Sequence, residues 1–438
     1  MHKNMSLKLL VLLALTGASA HAQNAAVDRL NQFAASAAAR ENARAIGVLC
    51  LPGNRLTARL QDDCNNLVGN AFAANPALDT AVRAALASIT ADNATIPINR
   101  SGLGKLSLLP TVASQAGPGW AALLSADQSM LSLSVADDEG VSSDWSLFVN
   151  ARVNNDQRDR SSNVDGFDRD GTTLTMGFDL RTSSTTHVGA AVIYARNDLD
   201  YSNGSGSLKS TDVGVNAFAG WQAGNGFYVD SLLSFNRRDN DQMRRVFYGL
   251  GVNQVDQRFD ARFDADERMF ALTAGFQFAR GAATFDPYAR VEFIDAESDG
   301  YSEVSRNPLG NGGGWALVVD PLNETFTRST LGVRAAYAIS GSNGVYVPFV
   351  DLSWVNNSGL DEEAARLQYL GDRSENGGAA RVDFFAPTDG EDNSYSTVAL
   401  GLSAQWANGW AGFVSYRQAF ALDRYEQREF NVGLRMEF

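Results

Sequence analysis

Histidine is nearly absent from this chain. Only His2, His21 and His187 occur among 438 residues. The first two lie in a stretch that reads as a removable leader. A catalytic triad, a zinc site or a histidine relay would rest on His187 alone, so no enzyme and no metal are expected. Positive charge is scarce too: 36 Lys and Arg stand against 50 Asp and Glu, a net charge of -14. Phosphate contacts need a basic patch, so no nucleic-acid partner is expected. The Gly-rich stretch GNGGGW at Gly310 to Trp315 is not followed by Lys-Ser or Lys-Thr. It reads as a flexible surface loop rather than a phosphate cradle, and no cofactor is expected. No apolar run is long enough for a membrane-spanning helix, which needs about 20 residues. An exported chain of this kind is either soluble or a barrel.

An export signal opens the sequence. MHKNMSLKLLVLLALTGASAHAQ has Lys3 and Lys8, a short apolar run from Leu9 to Leu15, and Ala20-His21-Ala22 as small residues for cleavage. Residues 1–22 are thus expected to be a signal peptide. The two cysteines, Cys50 and Cys64, are expected to pair outside the cytosol. Closing so short a loop restricts the unfolded chain by ~3 kcal/mol in the entropy model. Between them and around them the chain reads as helix. Val27, Leu30, Phe33, Ala34 and Ala37 share one helical face, as do Leu56, Leu60, Cys64 and Leu67. Residues 23–95 are assigned to a small α-helical region. Residues 96–143 contain Gly, Pro and Ser and read as a linker, with a possible helix in WAALLSADQSMLSL.

From Asp144 the period changes to two. Trp145, Leu147, Val149, Ala151 and Val153 share a face opposite Ser146, Asn150, Arg152 and Asn154. Twelve such runs follow one another: 144–154, 171–180, 187–197, 211–221, 227–237, 267–279, 284–294, 328–339, 345–355, 394–406, 410–420 and 428–438. Each has about the length a tilted strand needs to cross hydrocarbon. Long connections alternate with tight Gly- and Asn-containing ones, which sorts them to opposite ends of an antiparallel meander. Polar faces carry charges that a dry core would not tolerate unpaired. Arg152, Asp286, Arg290, Glu292, Arg334, Arg417, Arg435 and Glu437 are expected to face a lumen. There they would line a path, grip a plug, or pair with one another. Trp145, Trp221, Trp354, Trp406, Trp410, Phe227 and Phe438 fall near strand ends, as an aromatic girdle would. The expected fold is a 12-stranded antiparallel up-and-down transmembrane β-barrel over 144–438, preceded by the helical region. Within the loop 356–393, LDEEAARLQYL has helical spacing and is expected to form a short helix. His187 is expected to pack at a strand start.

DWSLFVNARV, GFDRDGTTLTMGFDLRTSSTTHVGAAVIYARND and the terminal FNVGLRMEF resemble the autotransporter β-domain of type V secretion. The resemblance covers about Asp144 to Phe438. It implies an outer-membrane location and a helix threading the lumen, here about Trp120 to Glu139. It also implies that the last strand (Phe430, Val432, Leu434, Met436 and Phe438) is the signal read by the barrel-assembly machinery. Two features depart from the family: the short helical passenger and its cysteine pair. No Asn lies between Arg100 and Phe148, so cleavage within the pore is not expected.

Three functions fit this reading. The chain translocates or anchors a short helical passenger at the cell surface, where it serves adhesion. Alternatively the helical region stays inside as a periplasmic tether or plug. Least favoured is a passenger-borne hydrolase. The expected partners are outer-membrane lipid and the assembly machinery, with the protein a monomer, its loops outside, and its turns and C-terminus periplasmic. A surface ligand cannot be named from the sequence.

Overall fold

The computed structural model describes residues 25–89 and 145–437, except 26, 35, 52–53, 74–75, 162–164, 184, 251–252, 360–364, 375–380, 387–392 and 407–408. The linker 96–143, with its possible pore helix, lies outside the described residues, as do the leader and Phe438.

Strict alternation of apolar and polar side chains drives residues 145–437 into twelve long strands. These are β1 (Trp145–Arg158), β2 (Phe167–Arg181), β3 (Thr186–Tyr201), β4 (Gly206–Gln222), β5 (Phe227–Leu250) and β6 (Asn253–Phe276). They continue as β7 (Ala283–Ser298), β8 (Leu322–Tyr337), β9 (Gly344–Ser358), β10 (Ser394–Trp406), β11 (Trp410–Phe420) and β12 (Tyr425–Glu437). Each pairs antiparallel with its neighbours in the chain, and β1 pairs with β12 along nearly its whole length, from Ser146 opposite Glu437 to Arg158 opposite Tyr425. The sheet is therefore a closed 12-stranded barrel with no free edge in the wall.

The outer face is apolar over the middle of the wall. Leu147, Met176, Val192, Val215, Leu233, Leu272, Leu331, Leu352, Leu400 and Val432 are all exposed there. In water such a surface would be a severe liability; against acyl chains it is the favourable side. Aromatics edge this belt at both ends: Trp145, Trp221, Phe227 and Trp410 at one, Tyr194, Phe235, Phe270, Phe293 and Trp354 at the other. The inner face at the same depth is mixed: buried polar and charged side chains such as Asn150, Arg152, Thr175 and Glu292 stand beside an apolar cluster that includes Phe218, Leu232, Met269 and Phe326.

Near the first of these ends, an inward aromatic lies directly opposite a glycine in every successive hairpin. Phe148 faces Gly177, Phe218 faces Gly189, Tyr228 faces Gly275, Tyr288 faces Gly332, Phe349 faces Gly401, and Phe413 faces Gly433. A Cβ on any of these glycines would collide with the ring across the strand pair. The rings thus lie flat along the wall and brace it, which close packing permits only over a bare backbone.

The two ends differ. At the turn end, strands are joined across 182–185, 223–226, 277–282, 338–343 and 407–409. At the other end, the cap end, stand the segments 299–321 and 359–393. Here the structure departs from the expected loops. Much of the chain between 237 and 267 is strand, and β5 and β6 rise together as a hairpin of 24 residues per arm. The loops also form a small second sheet from Tyr301–Ser302, Leu317–Val319, Ala365–Tyr369 and Asp383–Ala386. The expected helix at LDEEAARLQYL is therefore corrected. Its described part, from Ala365, is a strand, because Ala365, Leu367 and Tyr369 alternate into one buried face.

Helices α1 (Ala37–Leu49), α2 (Ala58–Phe72) and α3 (Pro76–Ile89) lie on the cap end, and residues 27–31 before them are also helical. Ser36 caps α1 by accepting from the Ala39 N–H at 3.0 Å. Pro76 opens α3, where its missing N–H costs nothing. Each helix buries one stripe: Ala39, Ala43, Ile46 and Leu49 in α1, Leu60, Cys64, Leu67 and Ala71 in α2, and Val82, Ala85, Leu86 and Ile89 in α3.

Candidate functional site

The buried stripes of the helices do not form a core of their own. They join the inward faces of the risen strand ends, through Phe167, Leu199, Leu208, Val246, Tyr248, Val255 and Phe259, and the loop residues Trp315, Leu317, Leu367, Tyr369 and Phe384. One hydrophobic core thus contains the N-terminal segment and the cap end of the barrel. Burying each large side chain contributes on the order of 1.5–3 kcal/mol, so the helices are held by many such contacts together.

Polar contacts fix the register of this docking. Asp63 sits in the middle of the apolar face of α2 and is 2% exposed. Its carboxylate accepts from the backbone N–H of Gly312 at 2.8 Å and of Gly314 at 2.9 Å, and from Arg59 at 2.6 Å. The glycines are there for geometric reasons. Gly312 has φ 82°, and a Cβ on Gly314 would meet the backbone of Leu60 at 2.5 Å. GNGGGW is therefore not a flexible surface loop: its Gly313–Trp315 turn is buried against α2.

Trp315 is fully buried, donates through Nε1 to the Tyr248 hydroxyl at 2.8 Å, and packs edge-on against Tyr369 at 5.4 Å. Below it, Arg244 makes a two-pronged pair with Glu303 at 2.7 and 2.6 Å and donates to the Trp315 carbonyl at 2.7 Å. Burial works against the Arg244 charge, but the Glu303 carboxylate outweighs it and holds the guanidinium pKa above its ordinary value. Burial also pushes the Tyr248 and Tyr369 hydroxyls up, so both remain protonated. Tyr369 donates to Asn42 of α1 at 2.5 Å.

The chain also docks through its backbone. The Thr57 N–H donates to the Gly371 carbonyl at 2.8 Å, and the Arg373 N–H to that of Arg55 at 2.7 Å. The Phe247 N–H, on β5 beyond the start of β4, donates to Ser88 of α3 at 2.6 Å.

Cys50 and Cys64 are bonded, joining the end of α1 to the buried face of α2. Replacing both with serine is expected to destabilise the helices by about 2–4 kcal/mol. Protease digestion of the membrane-embedded protein should then cut within α1 and α2 while the barrel stays intact.

The inward charges lie on the lumen wall mostly in pairs. Arg152 and Arg417 approach Glu429 at 3.6 and 3.8 Å. Arg290 pairs with Glu292 at 2.7 Å, and Arg328 joins Glu292 at 3.7 Å. Arg334 pairs with Asp351 at 3.0 Å, and Arg435 with Asp179 at 2.9 Å. Asp286 accepts from the Tyr228 hydroxyl at 2.8 Å. Glu437 closes β12 opposite Ser146. The arrangement also includes Asp156 with Arg169, and Asp212 with Arg238 at 2.5 Å. Sequence reading had not singled these out, because it placed Asp156, Arg169 and Arg238 in or at the edge of connections rather than in strands. His187 lies in β3 opposite Gly220, partly buried. Phe430, Val432 and Leu434 are exposed on the outer face of β12 and Met436 is half-buried.

A closed antiparallel barrel with an apolar outer belt, aromatic edges and a charged interior is an outer-membrane barrel. More closely, the chain belongs to the autotransporter β-domain family, whose model matches residues 147–417. Among solved structures, it is similar to the translocator domain of autotransporter NalP from Neisseria meningitidis. That likeness has 16% identity and a TM-score of 0.51, covering 73% of this chain and 97% of that one. The β-domain of the Bordetella autotransporter BrkA matches at 19% identity and TM-score 0.47, covering 67% and 99%. The barrel is thus an autotransporter translocator, and this part of the chain is a transport barrel rather than a catalytic domain.

Proposed function

We propose that this translocator carries its own N-terminal helical segment, residues 23–95, to the cell surface and keeps it there as a docked cap. The shared core of helices and cap-end loops carries this reading, because a segment retained in the periplasm would have no reason to be shaped to those loops. Trp145 begins β1 at the turn end, while Ile89 ends α3 at the cap end. On this reading the signal peptide 1–22 starts export, the loops lie outside, and the turns and C-terminus are periplasmic. The outward residues of β12 with Phe438 are the signal for barrel assembly, and the protein works as a monomer. The exposed cap would serve contact with other surfaces, adhesion among them.

The test is an epitope inserted at Ala25, an exposed position before the first buried residue. Antibody is expected to label intact cells, and the epitope should stay with the outer-membrane fraction. Labelling only after permeabilisation would overturn export. Recovery of the epitope in the medium would overturn retention.

A further inference from the structure

On four strands the outer wall passes from lipid belt to charged surface in the same three steps toward the cap. On β3 the steps are Tyr194, Arg196 and Asp198, and on β5 Phe235, Arg237 and Asp239. On β6 and β12, which run the other way, they are Phe270, Arg268 and Asp266, and Phe430, Arg428 and Glu426. All twelve side chains are exposed. The four strands belong to one arc of wall, running from β12 through β1 to β6. On the five strands of the opposite arc, the outward positions that follow Phe293, Leu331, Trp354, Val398 and Tyr416 toward the cap are Asp295, Ser329, Asn356, Ser396 and Gln418, none of them basic, and on β11 the exposed aromatic Phe420 follows Gln418. The arginines are therefore confined to one side of the barrel.

The order matches the layers of a membrane surface. Aromatic rings settle at headgroup depth. An outward residue two positions further along a tilted strand stands about 5 Å higher, and a guanidinium there meets lipid phosphates. The acidic residues one step beyond would be repelled from those phosphates and face water. The arginines keep donors free for this. Arg196 donates to the Tyr194 hydroxyl at 2.6 Å and lies over that ring at 5.5 Å. Arg268 has only a loose approach to Asp295 at 3.9 Å, with 63% of its side chain exposed. Arg237 and Arg428 pair with Asp264 at 2.5 Å and Glu426 at 2.7 Å, and are 64% and 51% exposed. A guanidinium offers five N–H donors, and one carboxylate engages at most two of them.

We propose that Arg196, Arg237, Arg268 and Arg428 form a collar that binds the phosphate groups of anionic lipids in the leaflet on the cap side. The occupant is lipid because the collar continues the belt that acyl chains already cover.

The test uses the purified full-length protein in detergent micelles supplied with equal amounts of phosphatidylglycerol and phosphatidylcholine. Retained lipid is read by native mass spectrometry. The wild type is expected to retain phosphatidylglycerol preferentially. Each arginine removed should weaken that preference about fivefold, so R196Q/R237Q/R268Q/R428Q should show none. R262Q, higher on the β5–β6 hairpin and 87% exposed, changes the charge by the same amount as any one of the four single substitutions but outside the collar, and should keep the preference. Equal retention of both lipids by the wild type would overturn the proposal. So would a preference that survives in the fourfold variant, or one that R262Q abolishes. Salt supplies a reading that needs no variant: the wild-type preference should fall as ionic strength rises, and a salt-insensitive preference would also overturn the collar.

Discussion

Trp315→Ala is expected to release the helical cap while leaving the barrel closed. The indole is fully buried between α2, the β5–β6 hairpin and the small loop sheet. Truncating a buried aromatic of this size costs roughly 3–5 kcal/mol, part of it from the cavity left behind. Two polar consequences add to this. The Tyr248 hydroxyl loses its Nε1 donor, and the turn that presents Gly312 and Gly314 to Asp63 loses its anchor. The barrel should be spared, because its wall is held by its own hydrogen-bond ladders. Its lower interior also has a separate apolar cluster around Phe218, Leu232, Met269 and Phe326. The measurement is amide hydrogen exchange of α1, α2 and α3 beside heat-modifiable gel migration of the barrel. Faster exchange in all three helices with unchanged migration is expected. Unchanged helix protection would show that the indole does not anchor the cap.

The barrel could be read from the sequence because lipid imposes a one-sided rule. Across the belt, every second residue must be apolar, and runs such as Trp145 to Val153 or Phe430 to Leu434 show it directly. Above the belt that rule ends. In the stretch 238–266 the outward face carries Arg and Asp, so the alternation no longer contrasts greasy with polar at each step. It was therefore expected to be loop. The inward period of two was still present in Val246, Tyr248 and Leu250, and again in Val255, Phe259, Ala261 and Phe263, all buried. The docking residues were hidden for different reasons. Glycine-rich sequence has the same composition whether a loop is loose or a backbone must approach closely, and GNGGGW is the second case. Asp63 did leave a signal, a charge on the apolar face of α2 between Leu60, Cys64 and Leu67. Such a charge needs a buried partner, but nothing local says that the partner lies some 250 residues away, in the backbone of Gly312 and Gly314.

Removing either half of the Arg244–Glu303 pair is expected to destabilise the cap more than removing both. The two side chains are each 1% exposed, so deleting one leaves the other as an unpaired charge in an apolar core. That situation typically costs about 3–5 kcal/mol. Arg244→Met and Glu303→Leu should each reach that range, read as faster proteolysis or exchange of the cap. The double variant replaces a charged pair with apolar volume and avoids the stranded charge, so it should recover part of the loss, since each single variant combines a stranded charge with one orphaned backbone group. Recovery will be incomplete for a reason specific to this site. Glu303 also accepts from the Leu317 N–H at 2.9 Å, and Arg244 also donates to the Trp315 carbonyl. The double variant leaves both backbone groups buried without those partners, at about 1–3 kcal/mol each. The pair therefore does more than neutralise itself: it ties the β5–β6 hairpin to the loop that grips α2. Strictly additive losses in the two single variants would mean that the charges are not coupled, and that the hairpin and loop are held together by packing alone.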